Sequence, residues 1–246
     1  MSNITAVVIT KNEEQVIKDC LNSLKFVDKI IVVDSNSTDK TPKIAKDMGA
    51  EVVQHTFIDF SETRNFATGL VKTDWVLFLD SDERITQDLQ KTIQEAIKDE
   101  SYVAYSLTRK NYYLGKPWPY KEELIRLFLK EKLLGWKGVI HENPQIDGEV
   151  GKLKGELLHF THRSLEEMLD KTIEWSAIEA KLLFENNNPK VTWWRLIRVF
   201  LTGFFNSYIR QKGFLVGSVG FIESFYQGFS MFVTYVKLWE MQQTKK

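Results

Sequence analysis

Three carboxylates crowd into four positions at Asp80-Ser81-Asp82-Glu83, directly after an apolar run at residues 75–79. Negative charge gathered at the end of a buried strand is unfavourable unless a cation or a set of donors offsets it. Hard divalent cations take oxygen ligands and share them with substrate phosphates. Asp80 and Asp82 therefore suit a metal–diphosphate site. Taken alone, so short a motif reads first as an acidic loop capping the next helix. Its company in the chain reverses that preference.

Thr10-Lys11-Asn12-Glu13-Glu14 follows a β-branched run at residues 4–10, and Asp34 ends a second apolar run at residues 29–34. As parallel strands, both runs would bring these residues and the acidic triplet to one carboxyl edge, where open α/β sheets bind ligands. Asp34 is placed there to accept from a base N–H or a ribose hydroxyl, or else to cap a helix. Arg64, on a helical stretch before the acidic strand, faces either phosphates or solvent. His159 and His162 stand within and just after a short strand, where an imidazole is either a metal ligand or a structural group. Tyr112, Tyr113, Trp118 and Tyr120 lie in an aromatic, proline-broken stretch that reads as a loop. It could stack on sugar rings or simply pack.

The elements that must position these residues follow from periodicity. Strands are expected at 4–10, 29–34, 51–54 and 75–79, with helices between them. Pro42 falls in the first turn of the second helix, and Gly49 suits its C-terminal cap. Strands alternating with helices at this spacing indicate βαβ units and a parallel sheet. An amphipathic helix is expected over 83–98, with Ile85, Leu89, Ile93 and Ile97 on one face. Further strands are expected at 103–108, 123–128, 138–140 and 157–160, with a turn-rich piece at 145–155. Ser164 and Glu167 have the spacing of a capping box opening a helix that runs to about Phe184.

Formal net charge is zero, with 33 basic and 33 acidic residues, but the balance is uneven along the chain. From Lys190 onward eight basic residues face only Glu223 and Glu240, and 14 of the 31 aromatic residues lie there. Trp193, Trp194, Arg195 and Arg198 form the aromatic-basic cluster of a membrane-interface helix. Packing as core helices or in a homo-oligomer is the other reading. Glu223 and Gln227, near the middle of the longest apolar stretch, make a membrane span costly. Cys20 is the single cysteine, so an intrachain disulfide is excluded and a reducing compartment suits the chain. No signal-peptide pattern precedes the first strand, and the expectation is a cytoplasmic protein attached peripherally to the cytoplasmic face of the inner membrane. The basic residues lie among apolar ones on an otherwise acidic body, which argues against nucleic-acid binding. A dehydrogenase would need G-x-G-x-x-G after the first strand, and a nucleotidyltransferase a Gly-rich basic first loop. Neither is present.

The series VVITKNEE, KIIVVDSNSTDKT, ETRNFA and DWVLFLDSDE resembles the inverting family-2 glycosyltransferases of the GT-A fold. The four blocks occur in family order over about the first hundred residues. RLF at 126–128, GWKGVIHE at 135–142 and the hydrophobic tail are similar to bacterial enzymes that build surface glycans, notably lipopolysaccharide-core glucosyltransferases. The resemblance implies an α/β, mostly parallel GT-A-type sheet flanked by helices, with a C-terminal helical tail. It implies a catalytic domain at 1–188, with a nucleotide-sugar-binding half at 1–100 and an acceptor half at 101–188. Residues 189–246 would form a membrane-association or oligomerisation segment. By the same resemblance Thr10, Asn12, Glu14 and Asp34 would hold the nucleoside, Arg64 would lie near the donor, and Asp80 would reach ribose or metal. Asp82, with Asp80 and His162, would ligate Mg²⁺ or Mn²⁺. Many family members carry an aromatic residue where this chain has Lys11. The usual acidic pair for the catalytic base is replaced at best by Glu142.

The expected reaction is inverting transfer of a hexose, glucose-like, from a nucleotide sugar, UDP-linked by resemblance. The acceptor would be a hydroxyl of a lipid-anchored surface glycan such as lipopolysaccharide core. Two rivals remain at this level: a polyprenyl-phosphate glycosyltransferase, which needs no hydroxyl base, and a non-catalytic membrane-bound scaffold.

Overall fold

The computed structural model describes residues 3–99, 101–138 and 142–244. Strands β1 (Ile4–Thr10), β2 (Lys29–Asp34), β3 (Glu51–Gln54) and β4 (Trp75–Asp80) form the parallel half of the main sheet. Within it β1 lies between β2 and β4, and β3 pairs with the far side of β2. β1 is buried throughout and β4 is buried as far as Leu79. Helices cover both faces of such a sheet, so its strands read as continuous apolar runs rather than alternating ones. The registers Thr10↔Asp34 and Ile9↔Asp80 bring three strand ends to one edge.

Helices α1 (Ile17–Ser23), α2 (Thr41–Asp47), α3 (Phe60–Leu70) and α4 (Gln87–Ala96) flank this half. Ile17, Leu21, Leu89 and Ile93 pack with Ala6, Val8, Leu77 and Leu79 in one core cluster. Ala67 and Val71 pack with Val7, Ile31 and Phe78 in another. The α4 helix is shorter than the amphipathic pattern predicts. Its first residues instead form β5 (Glu83–Ile85), whose pairing partner lies far along the chain. Thr86 then caps α4, accepting from the Leu89 N–H.

The sheet continues with β6 (Ala104–Tyr113), β7 (Lys116–Leu129) and β10 (Val150–Thr161), in the order β3-β2-β1-β4-β7-β6-β10-β5. β8 (Leu133–Lys137) and β9 (Asn143–Ile146) form a separate antiparallel ribbon. The aromatic stretch at 111–120 is therefore not a loop. Leu114 and Gly115, both at positive φ, turn the chain between β6 and β7. Successive positive-φ residues are what a two-residue hairpin turn requires. Pro117 and Pro119 lie two apart in β7 and are both exposed, while Trp118 between them is buried. Residues 145–155 are likewise mostly strand rather than turn. Of the strand expected at 138–140, residues 139 and 140 lie outside the described residues, as does His141.

By its internal contacts the chain divides into two compact units, residues 1–110 with 122–159 and residues 111–121 with 160–246. The expected break at 188/189 is not where this division falls. The second unit holds α5 (Leu165–Glu185), α6 (Trp193–Phe205), a π-helical turn at Asn206–Arg210 and α7 (Gly217–Thr244). The tail helices thus share a unit with α5: Ala180 of α5, Val191 and Leu238 of α7 are buried together. Ser164 caps α5, accepting from the Glu167 N–H at 3.2 Å. The Glu167 carboxylate reaches back to the N–H of Arg163, one residue before the cap. No helix among the described residues is long and apolar enough to cross a membrane.

Candidate active site

At the carboxyl edge of the parallel strands, the loops after β1 and β2 are tied to each other. The Asn12 N–H donates to Ser37 Oγ at 2.8 Å, and Asn12 Oδ1 accepts from the Thr38 N–H at 2.8 Å. Glu14 Oε2 accepts from the Lys40 N–H, and Asp39 accepts from the N–H groups of Glu14 and Thr41. Asn12 and Asn36 both sit at positive φ, a conformation that asparagine tolerates better than most residues. Asn12 and Glu14 therefore shape the loop pair with their side chains. Asp34 is fully buried, and Ser37 donates to both its carboxylate oxygens, at 3.0 and 2.5 Å. Beside them the buried hydroxyls of Thr10 and Ser35 have no hydrogen-bond partner among the described residues. Buried polar atoms left unpaired cost free energy.

Arg64, on α3, is 1% exposed. Its Nη2 donates to Asp80 Oδ1 at 3.1 Å and its Nε to Glu142 Oε1 at 2.9 Å. The guanidinium lies 5.1 Å from the Trp136 ring centre and 5.5 Å from that of Phe78. Arginine tolerates such burial because its planar, weakly hydrated head stacks on rings while its edge pairs with carboxylates. Arg64 is thus not the solvated helix-surface residue that the sequence left open. Arg126 of β7 donates to the other Asp80 oxygen at 2.8 Å. Glu83, fully buried, accepts from the Asp80 N–H and pairs with Arg109, which donates on to Glu122. A chain of alternating charge therefore runs Glu122, Arg109, Glu83, Arg126, Asp80, Arg64, Glu142.

This chain sets the protonation of its members. Burial alone would raise the Asp80 carboxyl, but Arg126, Arg64 and Arg109 outweigh it and hold the group well below the usual carboxylate range. Burial likewise works against the charge of Arg126, yet Asp80 and Glu83 leave it above the ordinary arginine value. Arg64 is pulled the other way by burial and by the neighbouring Arg126. Arg64 Nη1 and Arg126 Nε are buried donors with no hydrogen-bond partner among the described residues.

Asp82 is buried, and its Oδ2 stands 3.3 Å from Nε2 of His159. The β5–β10 register sets His159 opposite Glu83, next to Asp82 in sequence, which accounts for the approach. A carboxylate and an imidazole are a donor pair for a divalent ion such as Mn²⁺. Among the described residues no group of three or more such side chains converges. Both Asp80 oxygens accept from arginines, and the imidazole that stands beside Asp82 is that of His159. His162, in the second unit, instead directs Nδ1 at both oxygens of the buried Glu223, at 3.0 and 2.9 Å.

The residues that sequence reasoning missed are Arg109, Arg126, Glu83, Glu122 and Trp136. Arg126 carried a usable signal: a charge inside the apolar run 125–129 is seldom buried without a partner. The expected sugar-stacking aromatics are mostly packed. Trp118 is buried and donates to Gln211, Tyr113 stacks on His162 and Tyr112 on Phe160. Of these four only Tyr120 is exposed.

Open α/β sheets bind their ligands at the carboxyl edge of the strands, and known proteins narrow what this edge is for. The profile for glycosyl transferase family 2 matches residues 5–146. An uncharacterised glycosyltransferase of Rickettsia typhi is 30% identical over 259 residues, covering 98% of this chain and 88% of the relative. The lipopolysaccharide core biosynthesis glycosyltransferase LpsC of Rhizobium meliloti is 26% identical, covering 98% of this chain and 94% of that one. Among solved structures, the mannosyltransferase PcManGT from Pyrobaculum calidifontis, in complex with GDP-Man and Mn²⁺, superposes with a TM-score of 0.55 at 14% identity, over 96% of this chain and 87% of that one. The fold is thus the GT-A type. The chain belongs to glycosyl transferase family 2, and it is a glycosyltransferase with a nucleotide-sugar donor.

Proposed function

We propose that this protein is an inverting glycosyltransferase that moves a hexose from a UDP-sugar to a hydroxyl of a lipid-anchored surface glycan, such as lipopolysaccharide core. It would act at the cytoplasmic face of the membrane that carries this acceptor. The single observation that supports the donor site best is Asp82 against His159 at the edge where Thr10, Ser35, Arg64 and Arg126 keep unpaired buried polar atoms. The likeness to LpsC over nearly the full length of both chains supports the acceptor class. UDP as the nucleotide rests on the family resemblance.

In this reading the loops after β1 and β2 hold the nucleoside through Thr10 and Asp34, with Asn12 and Glu14 fixing the shape of the two loops. Asp82 and His159 would hold Mg²⁺ or Mn²⁺, as the manganese in the mannosyltransferase complex suggests by analogy of fold. The ion would offset negative charge on the diphosphate leaving group. Arg64 and Arg126 add fixed positive charge beside it, already oriented by Asp80 and costing no rearrangement. Glu142 is the base that takes the acceptor hydroxyl's proton. Its hydrogen bond from Arg64 Nε, at 2.9 Å, fixes its direction.

General-base assistance is worth about 10²–10⁴-fold. Glu142→Gln should therefore cost about that factor in kcat while leaving the donor Kd unchanged. Retention of near wild-type kcat would remove Glu142 from the mechanism. A screen of UDP-, GDP- and dTDP-sugars with Mn²⁺ tests the donor. Release of sugar from a UDP donor is expected, and turnover of GDP- or dTDP-sugars alone would overturn the nucleotide assignment.

A further inference from the structure

Within the second unit, α6 and α7 approach each other closely through glycine. A Cβ placed on Gly203 would lie 2.9 Å from the Gln227 carbonyl oxygen, and one on Gly228 2.7 Å from that of Phe200. Phe200 and Phe204 of α6 meet Phe225 and Phe221 of α7 edge to face. Although this contact is tight, it leaves the other side of α6 and the turn after it bare. Trp193 and Trp194 are 64% and 62% exposed, and Leu201, Phe205, Ile209, Phe214 and Leu215 are exposed as well. Of the 21 large apolar side chains exposed among the described residues, 13 fall between Trp193 and Trp239. An apolar concentration of this kind marks an interaction surface rather than ordinary exposure.

Charge narrows what can cover it. From Asn186 to Ile222 the chain has five basic residues and no acidic one. A shallow cavity of about 1270 Å³ along α6 has Lys190, Arg195, Arg198 and Arg210 in its wall, together with Trp194 and Phe205. Of the two acids that flank this stretch, Glu223 is fully buried and held by His162 and Gln227, and Glu185 pairs with Lys181 at 3.9 Å. A second copy docked face to face would set this basic surface against itself, which opposes association. A bilayer with anionic headgroups matches both features: tryptophan at the interface, apolar side chains below it and arginine at the phosphates.

We propose that the outer face of α6 and the turn after it, residues 193–215, lie in the headgroup region of an anionic membrane without crossing it. This deepens the membrane location proposed above and rests on that reading. It does not rest on glycosyl transfer, because vesicle binding needs neither donor nor acceptor.

The test is flotation of the full chain with vesicles of phosphatidylcholine alone and of three parts phosphatidylcholine to one part phosphatidylglycerol. Binding to the anionic vesicles is expected, with little to the neutral ones. Each cation near an anionic surface contributes about 1 kcal/mol. Arg198→Gln with Arg210→Gln should therefore weaken binding on the order of 30-fold, and Trp193→Ala with Trp194→Ala should weaken it at both low and high salt. Unchanged circular dichroism and melting temperature show that these variants fold. The proposal is overturned by equal binding to both vesicle types, by no binding to either, or by folded variants that bind like the wild type. It is equally overturned if Trp193 and Trp194 are found to hold a dimer in solution. Donor hydrolysis measured on the same preparation separates failure of this surface from failure of the catalytic reading.

Discussion

The first unit holds seven charged side chains, buried or half-buried, in one alternating line from Glu122 to Glu142, each arginine touching two carboxylates. Among its described residues the second unit fully buries one carboxylate, Glu223, held by His162 and Gln227, and leaves most of its cations at the surface. A buried line of this sort is seldom the most stabilising solution, since desolvation offsets most of the attraction. What it does supply is orientation. Asp80 and Glu142 are each fixed by a guanidinium that is itself held elsewhere. In the second unit Arg163, Lys171 and Arg195 also have partners within the unit, while Lys190, Arg198, Arg210 and Lys212 are exposed, which suits an external anionic partner.

Breaking the line should have the largest effect. Arg64→Met removes the group shared by Asp80 and Glu142, and losing one partner of a buried pair costs about 3–5 kcal/mol. Urea unfolding should show that loss, with turnover falling in step. A variant of wild-type stability and activity would mean that the line is incidental. His162→Ala sharpens the contrast, because it leaves Glu223 buried with only Gln227. A loss of about 3 kcal/mol is expected, but with the Kd for donor unchanged, since His162 is not in the proposed metal pair. Weaker Mn²⁺-dependent donor binding in this variant would restore His162 as a ligand.

The smallest effect is one of pH. The folded-state pKa of Asp80 is depressed, so its contribution is present above the unfolded value of about 3.9 and is lost as pH falls below it. The stability difference between wild type and Asp80→Asn should be flat from pH 5 to 8 and narrow below about pH 4. A difference that persists unchanged at pH 3 would contradict the assigned pairing.

Much of the fold was legible because β1, β2 and β4 are uninterrupted apolar runs and each ends in polar residues at the same edge. The hairpin at 113–116 was not, because Pro117 and Pro119 argue against a strand wherever the missing N–H groups must pair, and they do not show which strand positions face solvent. β5 was hidden for a different reason: three residues carry no period, and their partner is β10, more than 70 positions away. At the site, Asp80 and Asp82 stood out as a motif, but their different uses depend on arginines from α3 and β7 and on a histidine from β10. Nothing in the spacing of His159 and His162 distinguishes them. The β10 register opposite β5 does, because it puts His159 beside Asp82.

The central claim is a nucleoside-diphosphate site built with a metal at Asp82 and His159. Calorimetric titration of UDP into wild type and Asp82→Asn, with and without Mn²⁺, tests it most directly. UDP should bind the wild type in the presence of Mn²⁺. Binding should weaken by about 10–100-fold when either the metal or the Asp82 carboxylate is removed, with no further loss when both are. Equal Kd values for the two proteins in Mn²⁺, or no binding of UDP to the folded wild type, would contradict the account.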